Sequence, residues 1–263
     1  MNYLIILAIS FLFSAVGFRM YIYFFSLGYG LAVAAIGVAL AVLYSANLGP
    51  AEMLACALFA VYGLRLAGYL LVREMRSAAY RNVLSPEMER SRQMPLGPKL
   101  AIWVSCAFLY TLQTISLFFR LDNGAPADSF LYVGLVIMAV GLALETAADL
   151  QKSAAKRESP YRFVSSGLFG FVRCPNYLGE LIFWSGVLVT GLSVFQGVLQ
   201  WVCALVGYAL IVFIMFSGAR RLEIRQDRNY GDDPEYRKYC ESVPILLPFV
   251  PLYSVKKYKF LVA

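Results

Sequence analysis

The chain has 263 residues, 60% of them hydrophobic and only 15% charged, with a formal net charge of +7. A soluble globular domain is about half apolar and a quarter charged, so this composition excludes the soluble class and points to an all-α, polytopic membrane protein. Histidine is absent, and the five cysteines form no Cys-x-x-Cys pair. That removes the commonest proton-transfer side chain and gives no reason to expect a disulfide framework or a metal site.

A bilayer-spanning helix needs about 20 mostly apolar residues, and the sequence predicts seven of them. They lie near 2–18, 20–44, 51–72, 100–119, 129–148, 178–194 and 197–217. The start, Met1-Asn2-Tyr3, lacks the basic n-region of a secretory signal, so the first apolar stretch is expected to be a retained membrane helix. The last two spans come from one long apolar run broken near Gly191 and Gly197. Basic residues sort the loops: all but Arg65 and Arg120 fall at Arg19, in 73–99, in 149–177 and after 218. The positive-inside rule then puts the N-terminus outside and the C-terminus in the cytoplasm of an inner or plasma membrane. The net charge is thus mainly a topology signal and an attraction to anionic head groups; no nucleic-acid module is visible.

Ionisable residues within or beside the spans are few, and a charge facing lipid costs roughly 2.5–3.5 kcal/mol or more. Glu52 opens the third span. Arg65 stands mid-span with Tyr62 three residues before it and Tyr69 four after, on one face; it either orients a polar ligand group or holds helices together. Gln113 on the fourth span is expected to bond helix to helix. Glu145 and Asp149 stack at i, i+4 and either line a cytoplasm-facing pocket or end a solvated helix.

The densest polar cluster is Arg173-Cys174-Pro175-Asn176-Tyr177-Leu178-Gly179-Glu180, set directly before the sixth span. Pro175 suits a first helical turn. Lys156, Arg157, Arg162 and Arg173 can neutralise phosphates, and Asn176 with the free N–H groups of that turn adds neutral donors. No Gly-rich dinucleotide fingerprint or strand–helix alternation is present, so a dinucleotide would sit in a helical membrane cavity. The tail reads as a helical extension, a turn at 231–234 and a second short helix ending at the prolines; the simpler alternative is an amphipathic surface anchor.

These residues together resemble the steroid 5α-reductase family, especially its bacterial seven-span branch. The match runs through Glu145-x-x-x-Asp149-x-Gln151-Lys152, Ser166-Gly167-Leu168-Phe169, Arg173-x-Pro175-Asn176-Tyr177-x-Gly179-Glu180, Ser217-Gly218, Glu223, Tyr230-Gly-Asp-Asp-Pro-x-Tyr236-x-x-Tyr239 and Pro248. The Arg-x-Pro-x-Tyr-x-Gly element is shared with isoprenylcysteine carboxyl methyltransferases. The resemblance implies one integral membrane domain over 1–263, with substrate-side helices in 1–120 and an NADPH-binding half in 121–263 whose cofactor cavity faces the cytoplasm. It implies cofactor contacts from Asp149, Arg162, Asn176, Tyr177 and Glu180, with Glu145 and Arg173 at the same depth. Arg157 (or Lys156), Arg220 (or Arg221) and Tyr230 match more loosely. Tyr62 with Arg65 looks like the family's active-site pair. The family's intramembrane Glu on the second span is not found, which leaves Glu52 as the nearby carboxylate. Many relatives have His where this chain has Cys174, a position expected to serve packing.

The expected activity is transfer of hydride from NADPH to the C=C of an α,β-unsaturated ketone in a steroid-like or other lipid substrate from the bilayer. Tyr62, assisted by Glu52, would hydrogen-bond the ketone oxygen. Two alternatives stay open: an S-adenosylmethionine-dependent lipid methyltransferase, and a non-catalytic lipid-binding membrane protein. Substrate identity and oligomeric state have no signature in the residues.

Overall fold

In lipid every backbone N–H and C=O must be satisfied within the protein, and helices do this segment by segment. The computed structural model describes residues 2–76 and 78–262, and among them there are helices and turns but no strand. The α-helices are α1 (Asn2–Ser14), α2 (Leu27–Leu43), α3 (Pro50–Arg76), α4 (Ala78–Gln93), α5 (Leu96–Asp122), α6 (Ser129–Glu158), α7 (Pro175–Gly191), α8 (Gly197–Tyr230) and α9 (Pro234–Ser242).

Five of these, α3, α5, α6, α8 and α2 with the 3-10 turn before it, are long and apolar enough to cross a membrane. Several such helices make this an integral membrane protein. Of the seven spans expected, Asn2–Phe18 and the 17-residue α7 are apolar but shorter. The stretch 73–99, expected to be a loop, is largely the end of α3 and all of α4. The break in the last apolar run falls between Gly191 and Gly197, as anticipated. Gly197 has φ +66°, in the left-handed region that glycine adopts without a Cβ penalty.

Helix ends follow ordinary capping chemistry. α3 begins with Pro50 at its first position and closes on Arg73 and Arg76, which suit its negative C-terminal pole. Asp128 accepts the backbone N–H of Leu131 at 2.9 Å and so caps α6. Asp233 does the same for α9 through Glu235 N–H at 2.8 Å.

The chain divides into two compact units, Met1–Leu135 with Val187–Gly207 and Val136–Gly186 with Tyr208–Ala263. The division runs through α6, α7 and α8. In the first unit α2 packs along α3, and α1 lies against α2 and α5. The α2–α3 contact is a stripe of small residues. A Cβ at Gly63 would sit 2.2 Å from the Gly30 carbonyl oxygen, and one at Gly37 would sit 2.6 Å from that of Cys56. Such stripes let backbones approach where lipid offers no hydrophobic gain. In the same unit Arg120 is fully buried. It donates to the carbonyls of Thr190 and Pro126, to Asp128 at 2.8 Å and to Ser193 Oγ at 2.8 Å. The one basic residue expected on the outer side is therefore a latch between the α5–α6 and α7–α8 loops.

Gly63→Ala should push α2 from α3. Overpacking of this kind costs about 1–3 kcal/mol, so the variant should unfold at lower denaturant in detergent; an unchanged midpoint would contradict the close approach.

Candidate functional site

In the second unit the site is built on the seam between α6 and α7. A Cβ on Gly141 would lie 2.4 Å from the Phe183 backbone nitrogen, and one on Gly179 would lie 2.7 Å from that of Glu145. Neither position accepts a larger residue without moving backbone. Gly141, Glu145 and Asp149 succeed one another at i, i+4, while Asn176, Gly179, Glu180 and Phe183 follow i, i+3, i+4, i+7, so each set forms one stripe. The two glycines set these stripes against each other. Glu145, Asp149 and Glu180 are all buried, and a buried carboxylate is held only by partners or a ligand. Asn176 adds a buried side-chain oxygen, Oδ1, with no hydrogen-bond partner. Such an orphan acceptor is costly to bury and fits a site that a donor-bearing ligand completes.

α8 supplies the opposite wall. A Cβ on Gly218 would stand 3.2 Å from the Tyr177 ring, so glycine makes room for that phenol. Arg221 and Arg225 lie three and seven positions further along, on the same helical face. Both are exposed and within electrostatic reach of the Tyr177 hydroxyl. Among the described residues they are neither hydrogen-bonded nor ion-paired, which leaves their guanidinium groups open to an anion. Sequence reasoning offered Arg221 only as a substitute for Arg220 and missed Arg225; the signal was their spacing from Gly218.

The cations expected to meet phosphates are mostly occupied. Arg173 is buried and donates to Glu223 at 3.0 Å, to the Tyr253 carbonyl and to Cys240 Sγ at 3.0 Å. Glu223 also accepts Val255 N–H at 3.0 Å. Arg173 thus braces the C-terminal segment, a correction to the phosphate role expected for it. Arg220 donates to the carbonyls of Lys256 and Leu261. Arg162 pairs with Glu235, and exposed Arg157 turns back on its own helix at Ser153. The Tyr230 hydroxyl accepts from Lys156 at 3.1 Å, and its ring joins Phe163, Tyr236 and Tyr239 in an aromatic cluster. The Tyr-Gly-Asp-Asp-Pro-x-Tyr-x-x-Tyr run is thereby a structural clasp, with Tyr236 donating to Asp227 and Tyr239 to the Phe169 carbonyl.

The Ser-Gly-Leu-Phe element is tied to α6. Gln151 Oε1 accepts Leu168 N–H at 3.0 Å, and Gly167 (φ +61°) leaves it space, since a Cβ there would meet that oxygen at 2.5 Å. Cys174 lies behind the seam, its N–H donating to the Ile245 carbonyl at 3.0 Å. Burial pushes its thiol up to about 12. A thiol so protonated is no nucleophile, which agrees with a packing position.

In the first unit Tyr62 is fully buried on α3, its hydroxyl 3.0 Å from that of Tyr29 on α2. Tyr29 leans on Tyr110, ring centroids 5.1 Å apart, and Tyr110 donates to the Phe24 carbonyl. The expected Tyr62–Glu52 pairing is not formed. The two are ten residues apart on one helix, about 15 Å along its axis. Glu52 is buried at the start of α3 with Oε2 unpartnered. Tyr29, which sequence reasoning passed over, is a polar neighbour of Tyr62; its signal was a lone phenol between Gly28 and Gly30. Arg65 lies over the Tyr69 ring at 5.8 Å.

A helical membrane protein with a carboxylate–amide seam and an adjoining arginine row matches, over residues 25–243, the family described as "Protein of unknown function (DUF1295)". The chain belongs to that family. It is also similar to 3-oxo-5-alpha-steroid 4-dehydrogenase 1 of Bos taurus, 24% identical over 178 residues, covering 65% of this chain and 63% of the relative. Very-long-chain enoyl-CoA reductase of Dictyostelium discoideum is 28% identical over 158 residues, 58% of this chain and 48% of that protein. The Rattus norvegicus 3-oxo-5-alpha-steroid 4-dehydrogenase 1 is 28% identical over 119 residues, 44% of this chain and 40% of that protein. The chain therefore spans between about two fifths and just under two thirds of these relatives. No solved structure matches.

Two outcomes follow. Glu223→Gln leaves buried Arg173 without its carboxylate, and breaking a buried pair costs about 3–5 kcal/mol; chemical unfolding should show a loss of that size, and an unchanged stability would return Arg173 to the ligand. Because the Cys174 thiol is raised, it stays protonated well above neutrality. Mass-spectrometric mapping should find it unalkylated by iodoacetamide in the folded protein from about pH 7 to about pH 10.

Proposed function

We propose that this protein is a membrane reductase that uses NADPH to reduce a C=C bond conjugated to a carbonyl in a steroid-like or other lipid substrate. The observation that carries the reading is the pairing of two chemistries in the second unit. Phosphates call for free cations, and Arg221 and Arg225 are such cations. Ribose hydroxyls and a carboxamide call for acceptors, and the seam provides Asp149, Glu180 and the orphan Oδ1 of Asn176. Tyr177, seated on Gly218, offers a ring face and a hydroxyl between the two. Relatives named as a steroid 4-dehydrogenase and an enoyl-CoA reductase support the same class of reaction.

When bound, the reduced nicotinamide supplies hydride, chemistry that no side chain provides. The chain's own tasks are to hold, orient and protonate. Arg221 and Arg225 would neutralise phosphate charge, while Asp149, Asn176 and Glu180 fix sugar and amide groups. Tyr62 would donate a hydrogen bond to the substrate carbonyl oxygen as negative charge develops there, an interaction that strengthens towards the transition state. Tyr29 would polarise that phenol through its own hydroxyl. The basic loops would place Arg221 and Arg225 on the cytoplasmic side, where NADPH is found.

NADPH should raise the melting temperature of the protein in detergent. Membranes holding the protein, given NADPH and a panel of enone steroids and polyprenyl lipids, should yield a product heavier by two hydrogens by mass spectrometry. Arg221→Ala/Arg225→Ala should weaken NADPH by about tenfold or more, one charge-assisted contact being worth about 1.5–3 kcal/mol. Stabilisation by S-adenosylmethionine alone would overturn the reading.

A further inference from the structure

The C-terminal segment after α9 presents apolar and basic side chains at one particular depth. α8 is uncharged from Gly197 to Ala219, and Arg220 is its first charge. Those residues rise about 34 Å, enough to cross a hydrocarbon core of about 30 Å, so α8 meets the bilayer boundary near Ser217–Arg220. Residues 256–262 are pinned there. Val262 N–H donates to Ser217 Oγ at 3.2 Å, and Arg220 donates to the carbonyls of Leu261 at 3.1 Å and Lys256 at 3.2 Å. Two tight turns, Tyr258 N–H to Val255 and Leu261 N–H to Tyr258, both 3.1 Å, shape the segment between.

Its side chains sort into two sets. Val255 and Leu261 are buried and hold the segment down. Lys257 and Lys259 are exposed, as are Phe260 (71%) and Val262 (57%). Tyr258 lies beside the Phe260 ring, with the Lys257 ammonium 5.1 Å from its own ring centroid. Aromatic rings and lysines presented side by side are the composition of a membrane–water interface.

A second tip is wholly apolar. Pro244 and Ile245 accept the backbone N–H groups of Arg173 and Cys174, just before α7 begins, and Ile245 N–H donates to Leu252 at 2.9 Å. The turn so closed carries Phe249, 97% exposed, with φ +63°. A phenylalanine in left-handed backbone is strained, and here the strain is spent on presenting an apolar ring to the surroundings.

We propose that Pro248–Val262 is an interfacial strap that docks on anionic phospholipid, with Phe249 and Phe260 entering the head-group layer and Lys257 and Lys259 binding lipid phosphates. The occupant is lipid because both tips are fixed where apolar helices begin or end, and because the free charges on the strap are positive. The strap also carries the Tyr253 carbonyl and Val255 N–H that close the Arg173–Glu223 pair, so lipid bound here would steady that brace. This inference is independent of the reductase reading.

The whole protein in phosphatidylcholine nanodiscs would be titrated with phosphatidylglycerol, read by melting temperature and by native mass spectrometry of retained lipid. Each lysine near a charged surface accounts for about a fivefold change in affinity, so Lys257→Ser/Lys259→Ser should weaken phosphatidylglycerol by about 25-fold. Lys238→Ser, an exposed lysine on α9, should leave it within about twofold. Tryptophan placed by Phe260→Trp should be quenched by brominated lipid rather than by aqueous acrylamide. The proposal is overturned if the double variant retains wild-type affinity, if Lys238→Ser weakens it equally, if inorganic phosphate stabilises as well as the lipid does, or if acrylamide is the better quencher.

Discussion

The second unit depends on how closely α6 and α7 approach. Gly141 and Gly179 remove the two Cβ atoms that would hold the backbones apart. In a membrane this contact cannot come from hydrophobic burial, because lipid is as apolar as the side chains it would replace; dispersion between close backbones has to supply it. The approach has a chemical consequence. It lays Glu145 and Asp149 along a helix face that meets Asn176 and Glu180, concentrating acceptors in a space where each unsatisfied one is expensive. The seam is therefore at once a close backbone contact and a place where a polar ligand would gain binding energy.

Around that seam the cations divide into two kinds, according to whether the protein supplies their hydrogen-bond partners. Arg173 and Arg220 turn towards protein carbonyls and Glu223, tying the C-terminal segment to the start of α7 and the length of α8. A guanidinium has five donors in a fixed fork, which suits it to bracing a loop from several directions. Arg221 and Arg225 differ from Arg220 by one step and by one helical turn plus a step, which rotates them onto the Tyr177 face and into solvent. The same residue type is thus tied to the protein or left open according to helical phase.

The first unit shows the complementary economy. Many of its buried polar groups are phenols and hydroxyls, with Tyr29, Tyr62 and Tyr110 gathered together and Ser10 bonded to Thr111 at 3.1 Å. Phenols tolerate burial better than carboxylates because only one proton and one oxygen need partners. Glu52, the carboxylate of this unit buried at the start of α3, lies about three helical turns from Tyr62 and cannot share its chemistry.

Much of this was legible in the residues. Apolar run lengths gave the helical membrane class, the glycines at 191 and 197 gave the break between α7 and α8, and the octapeptide at 173–180 marked the start of α7 and its polar stripe. Helical spacing alone stacked Glu145 with Asp149, because those relations are local and obey a fixed 3.6-residue period. What only the tertiary structure decided was partnership across distance. Arg173 finds Glu223 fifty residues away, Tyr62 finds Tyr29 rather than Glu52, and Tyr230 joins an aromatic clasp with Phe163 and Tyr236. Sequence determines which faces a helix has; which neighbour each face meets is set by the approach of helix to helix, and that depends on backbone packing at a few small residues.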